Sequence, residues 1–134
     1  MEQGLVINNL HVKCGQCVDI KGVIEPEAKS FAINLGQDSS AIVLHFNPRF
    51  EHLGDINTIV CNSKDASGWG EEQRESAFPF KQGEKTEVCV HFDKEQLTIK
   101  LQDGQEMKFP NRLGLDAVNF LSVEGLHVKT LKLD

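Results

Sequence analysis

His45, Asn47, Arg49, Asn62, Trp69, Glu72 and Arg74 have the types and spacings needed to hold a small polar ligand. An imidazole, two amides, two guanidinium groups and a carboxylate offer donors and acceptors to hydroxyl groups, and an indole packs on C–H groups. A neutral polyol with polar edges and one apolar face, such as a sugar, suits that set. Arg49, Glu72 and Arg74 can also hold one another through charge-assisted hydrogen bonds, which would orient the donors before a ligand arrives. A solvated sheet face with a surface ion-pair network would show the same pattern. Strand parity alone leaves both readings open.

The elements that must position these groups are strands. Over 41–47, Ile42, Leu44 and Phe46 alternate with Val43, His45 and Asn47, the period-2 pattern of a half-buried strand. His45 and Asn47 therefore share the outward face. Arg49 takes the next position of that phase, although Pro48 lacks an N–H and argues against a regular central ladder beyond it. A second strand is expected over 56–62. A third is expected over 71–76, with Glu72 and Arg74 two apart on one face and Trp69, between Gly68 and Gly70, just before it.

Other strands are expected over 5–10, 17–23, 30–35, 87–93, 97–101, 105–109, 118–123 and 126–133. Asp103-Gly104 joins two of them as a hairpin. Helical periodicity is absent apart from one short turn at 113–117. About eleven short, regularly spaced strands are the mark of an all-β sandwich or barrel. The expected core is Phe31, Ile33, Leu44, Phe46, Ile59, Cys61, Val88, Val90, Phe92, Ile99, Leu101 and Phe109.

The chain has 134 residues, enough for one hydrophobic core and too few for two ordinary domains, so a single domain over 1–134 is expected. With 14 basic and 20 acidic residues the net charge is −6. That balance opposes nonspecific binding to nucleic acid or to an anionic membrane. The N-terminal stretch has no basic region followed by an apolar run, and no segment is apolar enough to span a bilayer, so cytoplasmic synthesis without membrane insertion is expected. Cys14, Cys17, Cys61 and Cys89 read as free thiols of a reducing compartment. Cys14-Gly15-Gln16-Cys17 has the spacing of a redox pair or half a zinc site. However, residues 17–23 alternate like a strand rather than opening a helix, and no second Cys/His pair follows, so a turn is the expected role and no metal or cofactor is implied.

In the last strand Leu126 and Val128 share one phase while Leu131 and Leu133 take the other, so apolar groups are expected on both faces. A solvated edge strand avoids this, because exposed apolar edges invite pairing. Leu5 and Val6 show the same two-sided character. A bulge that returns Leu131 and Leu133 to the core is the alternative.

Several motifs carry a specific resemblance. His-Phe-Asn-Pro-Arg-Phe at 45–50, Val-Cys-Asn-Ser-Lys at 60–64 and Trp-Gly-Glu-Glu-Gln-Arg-Glu at 69–75 resemble the carbohydrate-recognition signature of the galectins. Asn-Leu-Gly at 34–36, Phe-Pro-Phe at 78–80 and Phe-Pro-Asn-Arg-Leu at 109–113 extend the similarity over essentially the whole chain, which looks like a prototype, homodimeric galectin. The resemblance implies a two-sheet antiparallel jelly-roll sandwich of the galectin and legume-lectin kind, with the sugar on one concave sheet. It implies a calcium-independent lectin for β-galactosides such as lactose and N-acetyllactosamine on glycoproteins and glycolipids, and export from the cytoplasm to the extracellular space without a signal peptide. In the resemblance, His45, Asn47 and Arg49 take the axial 4-hydroxyl of galactose and Arg49 also reaches the ring oxygen. Asn62 takes the 6-hydroxyl, Trp69 stacks on the apolar face, and Glu72 with Arg74 take hydroxyls of the adjoining sugar. Leu5, Val6, Leu131 and Leu133 match a twofold interface. Cys14 replaces the proline usual before Gly15.

The chain departs from the family at His52-Leu53-Gly54-Asp55, where leucine fills a slot usually held by histidine. Leu53 cannot donate or accept, so Asp55 is left to support Arg74, and His52 to swing back. Two other functions have weaker support. Asp55, Glu72 and Glu75 resemble a glycosidase carboxylate set, but arginines beside Glu72 would keep it ionised and no apolar pocket is evident to raise a carboxyl for general-acid work, so an enzyme is not expected. A lipid-carrying β-barrel has similar size, but the alternating Arg and Glu and the missing helical lid oppose it. No calcium-loop spacing appears either.

Overall fold

The computed structural model describes residues 3–134. Met1 and Glu2, where the expected 1–134 domain begins, lie outside the described residues. In chain order the strands are β1 (Gln3–Ile7), β2 (Val12–Lys13), β3 (Cys17–Ile24), β4 (Ala32–Asp38), β5 (Ala41–His52), β6 (Asp55–Asp65), β7 (Gly68–Trp69), β8 (Gln73–Glu75), β9 (Lys85–Phe92), β10 (Gln96–Leu101), β11 (Glu106–Pro110), β12 (Ala117–Val118), β13 (Phe120–Glu124) and β14 (Leu126–Leu133). One sheet has the order β1-β13-β4-β5-β6-β7, with β8 also paired to β6. The second runs β11-β10-β9-β3-β14, and β12 pairs β2. Every pairing is antiparallel. The architecture is the all-β, two-sheet jelly-roll sandwich.

Period-2 alternation builds the core. Val18 and Ile20 on β3, Val88, Val90 and Phe92 on β9, and Leu97, Ile99 and Leu101 on β10 point inward from one sheet. Ile33, Leu35, Leu44, Phe46, Ile59, Cys61 and Val123 meet them from the other. Every core position expected from the sequence is buried. A buried side chain of this kind contributes about 1.5–3 kcal/mol. Behind the polar face of β5, Phe31, Phe46 and Phe80 meet edge to face, with the Phe31 and Phe80 centroids 5.1 Å apart. The chain of rings continues through Phe78 to Phe50. These contacts hold β5 in place.

Several expectations change. The first strand ends at Ile7, because Asn9 and His11 adopt left-handed φ values of 61° and 57°. No helical turn forms at 113–117; a turn with Gly114 at φ 63° stands there. The two-residue strands β2, β7 and β12 are too short to carry a period and were not expected. Pro48 does not end β5, whose ladder to β6 continues to His52 opposite Asp55. The reason is orientation: the Pro48 carbonyl accepts the Phe31 N–H at 3.1 Å and the Phe50 N–H donates to Lys29 O at 2.8 Å, both away from β6. The absent N–H of Pro48 therefore faces the side where β4 has not yet begun.

The C-terminal strand corrects the expected two-sided pattern. A bulge between Val128 and Thr130 shifts the register against β3, so Leu131 and Leu133 regain the phase of Leu126 and Val128. Leu131 and Leu5 pack against this chain's own core, whereas Val6 and Leu133 stand 43% and 38% exposed. β1 and β14, the outermost strands of the two sheets, touch each other.

Candidate functional site

His45, Asn47 and Arg49 project from one face of β5, and the register sets His45 opposite Asn62 on β6. Val60 on β6 lies between Asn47 and Arg74 of β8, which brings Arg74 onto the same face. The expected third strand is shorter than 71–76. Trp69 has its own two-residue strand beside Lys64 and Asp65, and Glu72 precedes β8. All seven expected groups still meet, lining an open groove of ≈ 810 Å³. Ser30, Ala32, Glu124, His52 and Leu53 also line it.

His45, Asn47 and Arg49 are each held by another residue. Asn34 on β4 donates through Nδ2 to Ser122 Oγ at 3.1 Å, so its Oδ1 is the acceptor 2.6 Å from His45 Nδ1. The imidazole proton therefore sits on Nδ1, and Nε2 is left as an acceptor for the groove. Burial first, then the charge of Arg49, pushes the His45 pKa down to about 4, so the ring is neutral at physiological pH. Asn47 Nδ2 donates to Phe31 O at 2.9 Å, and its Oδ1 accepts Arg49 Nε at 2.9 Å. Both residues are nearly buried, at 5% and 6% exposure, so little freedom remains to them.

Arg49, Asp55, Arg74 and Glu72 form a ring of ion pairs. Arg49 Nη1 lies 2.7 Å from Asp55 Oδ2, Arg74 Nη2 lies 3.2 Å from the same oxygen, and Arg74 Nη2 lies 2.8 Å from Glu72 Oε1. Arg49 reaches Glu72 only at 3.9 Å, so Asp55 rather than Glu72 is the main link between the arginines. Hydrogen bonds from Arg74 and Arg49 hold the Asp55 carboxyl below its ordinary range, against the opposing effect of burial. Asp55 is placed by the hairpin it ends. Leu53 (φ 50°) and Gly54 (φ 86°) form a two-residue loop with both central residues left-handed, the geometry that Asn-Gly usually fills. Leucine in that conformation costs about 1–2 kcal/mol. Its side chain is 76% exposed at the groove's edge beside His52.

Asn62 Nδ2 donates to Gly70 O at 3.0 Å, and Asn62 Oδ1 accepts the Ser63 N–H at 2.8 Å. Trp69 is 51% exposed, its ring 4.8 Å from that of His45 at a tilt of 54°, with Lys64 Nζ 5.5 Å from its centroid. Arg112 stacks on Phe109 and donates to Glu71 O at 2.8 Å, pinning the segment that carries Trp69 and Glu72. A Cβ at Gly70 would come within 3.1 Å of Arg112 Nη1, so a larger residue there would have to shift that guanidinium.

The supporting roles of Asn34, Ser122 and Arg112 were missed. Parity puts Asn34 on the face of Ala32 and Gly36, a signal that becomes useful only once β4 is known to flank β5. Ser122 and Arg112 have no local signal. The carboxylates Asp55 and Glu72 are both paired with arginine, and the lowered Asp55 carboxyl disfavours the protonated state a general acid needs.

A family model of galactoside-binding lectins matches residues 4–133. The chain is 58% identical to bovine (Bos taurus) galectin-1 over 125 residues, 93% of each chain. Among solved structures, CG-16, a homodimeric agglutinin from chicken liver, superposes with a TM-score of 0.94 at 50% identity, covering 98% of this chain and 100% of that one. The complex of toad ovary galectin with thio-digalactose gives 0.97 at 47% identity over 100% of both. Taken with the jelly-roll fold and the polar groove across its larger sheet, this similarity over nearly the whole length means that the chain belongs to the galactoside-binding lectins, the galectins, a family of carbohydrate-binding proteins and not of enzymes.

Proposed function

We propose that this galectin binds β-galactosides such as lactose and N-acetyllactosamine on glycoproteins and glycolipids, without calcium or any cofactor, and cross-links them as a homodimer. The observation that carries the reading is the pairing at His45, Asn47 and Arg49. The Nδ1 proton is committed to Asn34, so Nε2 accepts, while the Arg49 guanidinium and the Asn47 Nδ2 proton not given to Phe31 O are left to donate. Such a set matches a hydroxyl that donates once and accepts twice, the role assigned to the galactose 4-hydroxyl. In this reading Asn62 takes the 6-hydroxyl, Trp69 the apolar sugar face, and Glu72 with Arg74 the adjoining residue. The donors are held by protein groups, so no bridging cation is required. Toad ovary galectin, which shares this fold, is solved as a complex with thio-digalactose.

For the dimer, the supporting features are the touching edges β1 and β14 with Val6 and Leu133 exposed on them, and the homodimeric assembly of the chicken agglutinin. Two sites on one rigid pair gain avidity that a monomer lacks. The test is retention on immobilised lactose in EDTA, with elution by free lactose and not by cellobiose. Flow-through in the absence of competitor would refute the binding claim. Val6→Asp with Leu133→Asp should give a lactose-binding monomer that no longer agglutinates. A parent protein already monomeric by sedimentation would refute the dimer.

A further inference from the structure

The outer face of the β3–β9 sheet, opposite the groove-bearing sheet, carries a second ordered set of reactive groups. Cys17 Sγ lies 3.1 Å from His91 Nδ1, and His91 Nε2 lies 3.3 Å from Asp93 Oδ2. A carboxylate only accepts, so the imidazole proton sits on Nε2 and Nδ1 is left as an acceptor facing the thiol. A nucleophile, a base within hydrogen-bond reach and a third group that orients the base make an activated-thiol arrangement. Cys17 and His91 are half-buried and face each other directly across the ladder.

The other three thiols lack this environment. Burial first, then Glu75, pushes the Cys61 thiol up to about 12. The Cys89 thiol is pushed up to about 11 by burial first and then by the charges of Cys17 and Asp19. Cys14 is exposed, but its sulfur faces the Asp116 carbonyl at 3.6 Å and has no base. Of the groups around Cys17, Asp19 on β3, Asp93 after β9 and Asp134 after β14 oppose a negative sulfur. Lys132 on β14, opposite Asp19, and Lys100 on β10, opposite Cys89, favour it. Cys89 also hydrogen-bonds with Cys17, but its own thiol is held protonated, which leaves His91 Nδ1 as the base in contact with the sulfur.

We propose that Cys17 is a nucleophilic thiol modified by low-molecular-weight disulfides, with His91 as its base and Asp93 as the residue that positions the imidazole. The Cys17 proton passes to His91 Nδ1, and the thiolate attacks one sulfur of the small disulfide RSSR. The Cys17–SR bond forms as the RS–SR bond breaks, and the departing thiolate takes the proton to leave as RSH. The protein sulfur is oxidised and one half of the disulfide is reduced, so no further oxidant is needed.

The experiment follows thiolation by oxidised glutathione at each cysteine by peptide mass spectrometry. In the unmodified chain Cys17 should react ahead of Cys14 although it is less exposed. In a Cys14→Ser background, His91→Gln should slow Cys17 by about tenfold or more near pH 7 and much less above pH 9, where thiolate forms without a base. Asp93→Asn, an exposed change, should slow it by a smaller factor with the same pH trend. Equal rates for the parent and His91→Gln at pH 7, or reaction at Cys14 or Cys89 before Cys17, would overturn the proposal.

Discussion

His45 and His91 sit on opposite sheets and present opposite ring nitrogens. On β5, Asn34 takes the Nδ1 proton and leaves Nε2 to the groove. On β9, Asp93 takes the Nε2 proton and leaves Nδ1 to Cys17. His45 is held by the buried Asn34–Ser122 pair, beside the buried Asn47–Arg49 pair that leads into the Arg49–Asp55–Arg74–Glu72 ring. His91 and its two partners are half-buried or exposed, and the contacts do not continue beyond them into a buried network. The difference shows that what an imidazole does is set by its second partner. A closed, buried network fixes a neutral acceptor for recognition, while an open one leaves a base free to take a proton.

The strongest way to break the closed network is Arg49→Ala. It removes a central donor and leaves Asn47 Oδ1 and part of Asp55 unpaired. Losing a buried charged partner costs about 2–5 kcal/mol, so lactose affinity measured by calorimetry should fall roughly thirty-fold or more. Trp69→Ala should cost about 1–2 kcal/mol, roughly tenfold, with the melting temperature nearly unchanged because the ring is half exposed. A Trp69→Ala protein that binds as well as its parent would remove the stacking platform from the account.

A pH series tests the closed network at His45. Lactose affinity should hold as the pH falls past 6.5 and fail around 4, since only then does His45 gain the proton that turns Nε2 into a donor. The sign for stability is the same. The unfolded chain takes up this proton near 6.5 and the folded chain only near 4, so the contribution is full above 6.5 and is lost as the pH falls through that window. Loss of binding centred on 6.5 would show that burial does not hold the ring neutral.

The smallest effects belong to the hairpin. Leu53→Asn should relieve the left-handed strain and stabilise the fold by about 1 kcal/mol, read as a raised unfolding midpoint, with lactose binding intact. Leu53→His should leave lactose affinity within about twofold while changing the ranking of galactosides substituted at the 2- or 3-hydroxyl. Unchanged affinity for every ligand would mean that Leu53 has no part in selection.

Alternation along 41–47 was enough to align His45, Asn47 and Arg49, because a strand with a buried face has only one parity. The partners that hold them were harder to see. Asn34 and Ser122 reach His45 through sheet neighbours β4 and β13, and strand order is a property of the whole chain. Asp55 was read as support for Arg74, yet it bridges both arginines because a tight Leu53-Gly54 turn returns it to the ladder. Pro48 pointed to a break that does not occur, since residue type does not reveal which neighbour an absent N–H faces. The C-terminal alternation was misread for a similar reason: one bulged residue at the strand's middle inverts every later position. The resemblance to galectins supplied the roles of Asn62 and Trp69, which parity could not.

The central claim is that His45, Asn47 and Arg49 read one hydroxyl by its direction. The most direct measurement is a pair of calorimetric titrations at neutral pH in EDTA, one with lactose and one with cellobiose, whose terminal sugar differs only at the 4-position. Each hydrogen bond lost in a dehydrated contact costs about 1–3 kcal/mol, so the account predicts measurable lactose binding and cellobiose binding weaker by roughly tenfold or more. Equal affinity for the two disaccharides would contradict it.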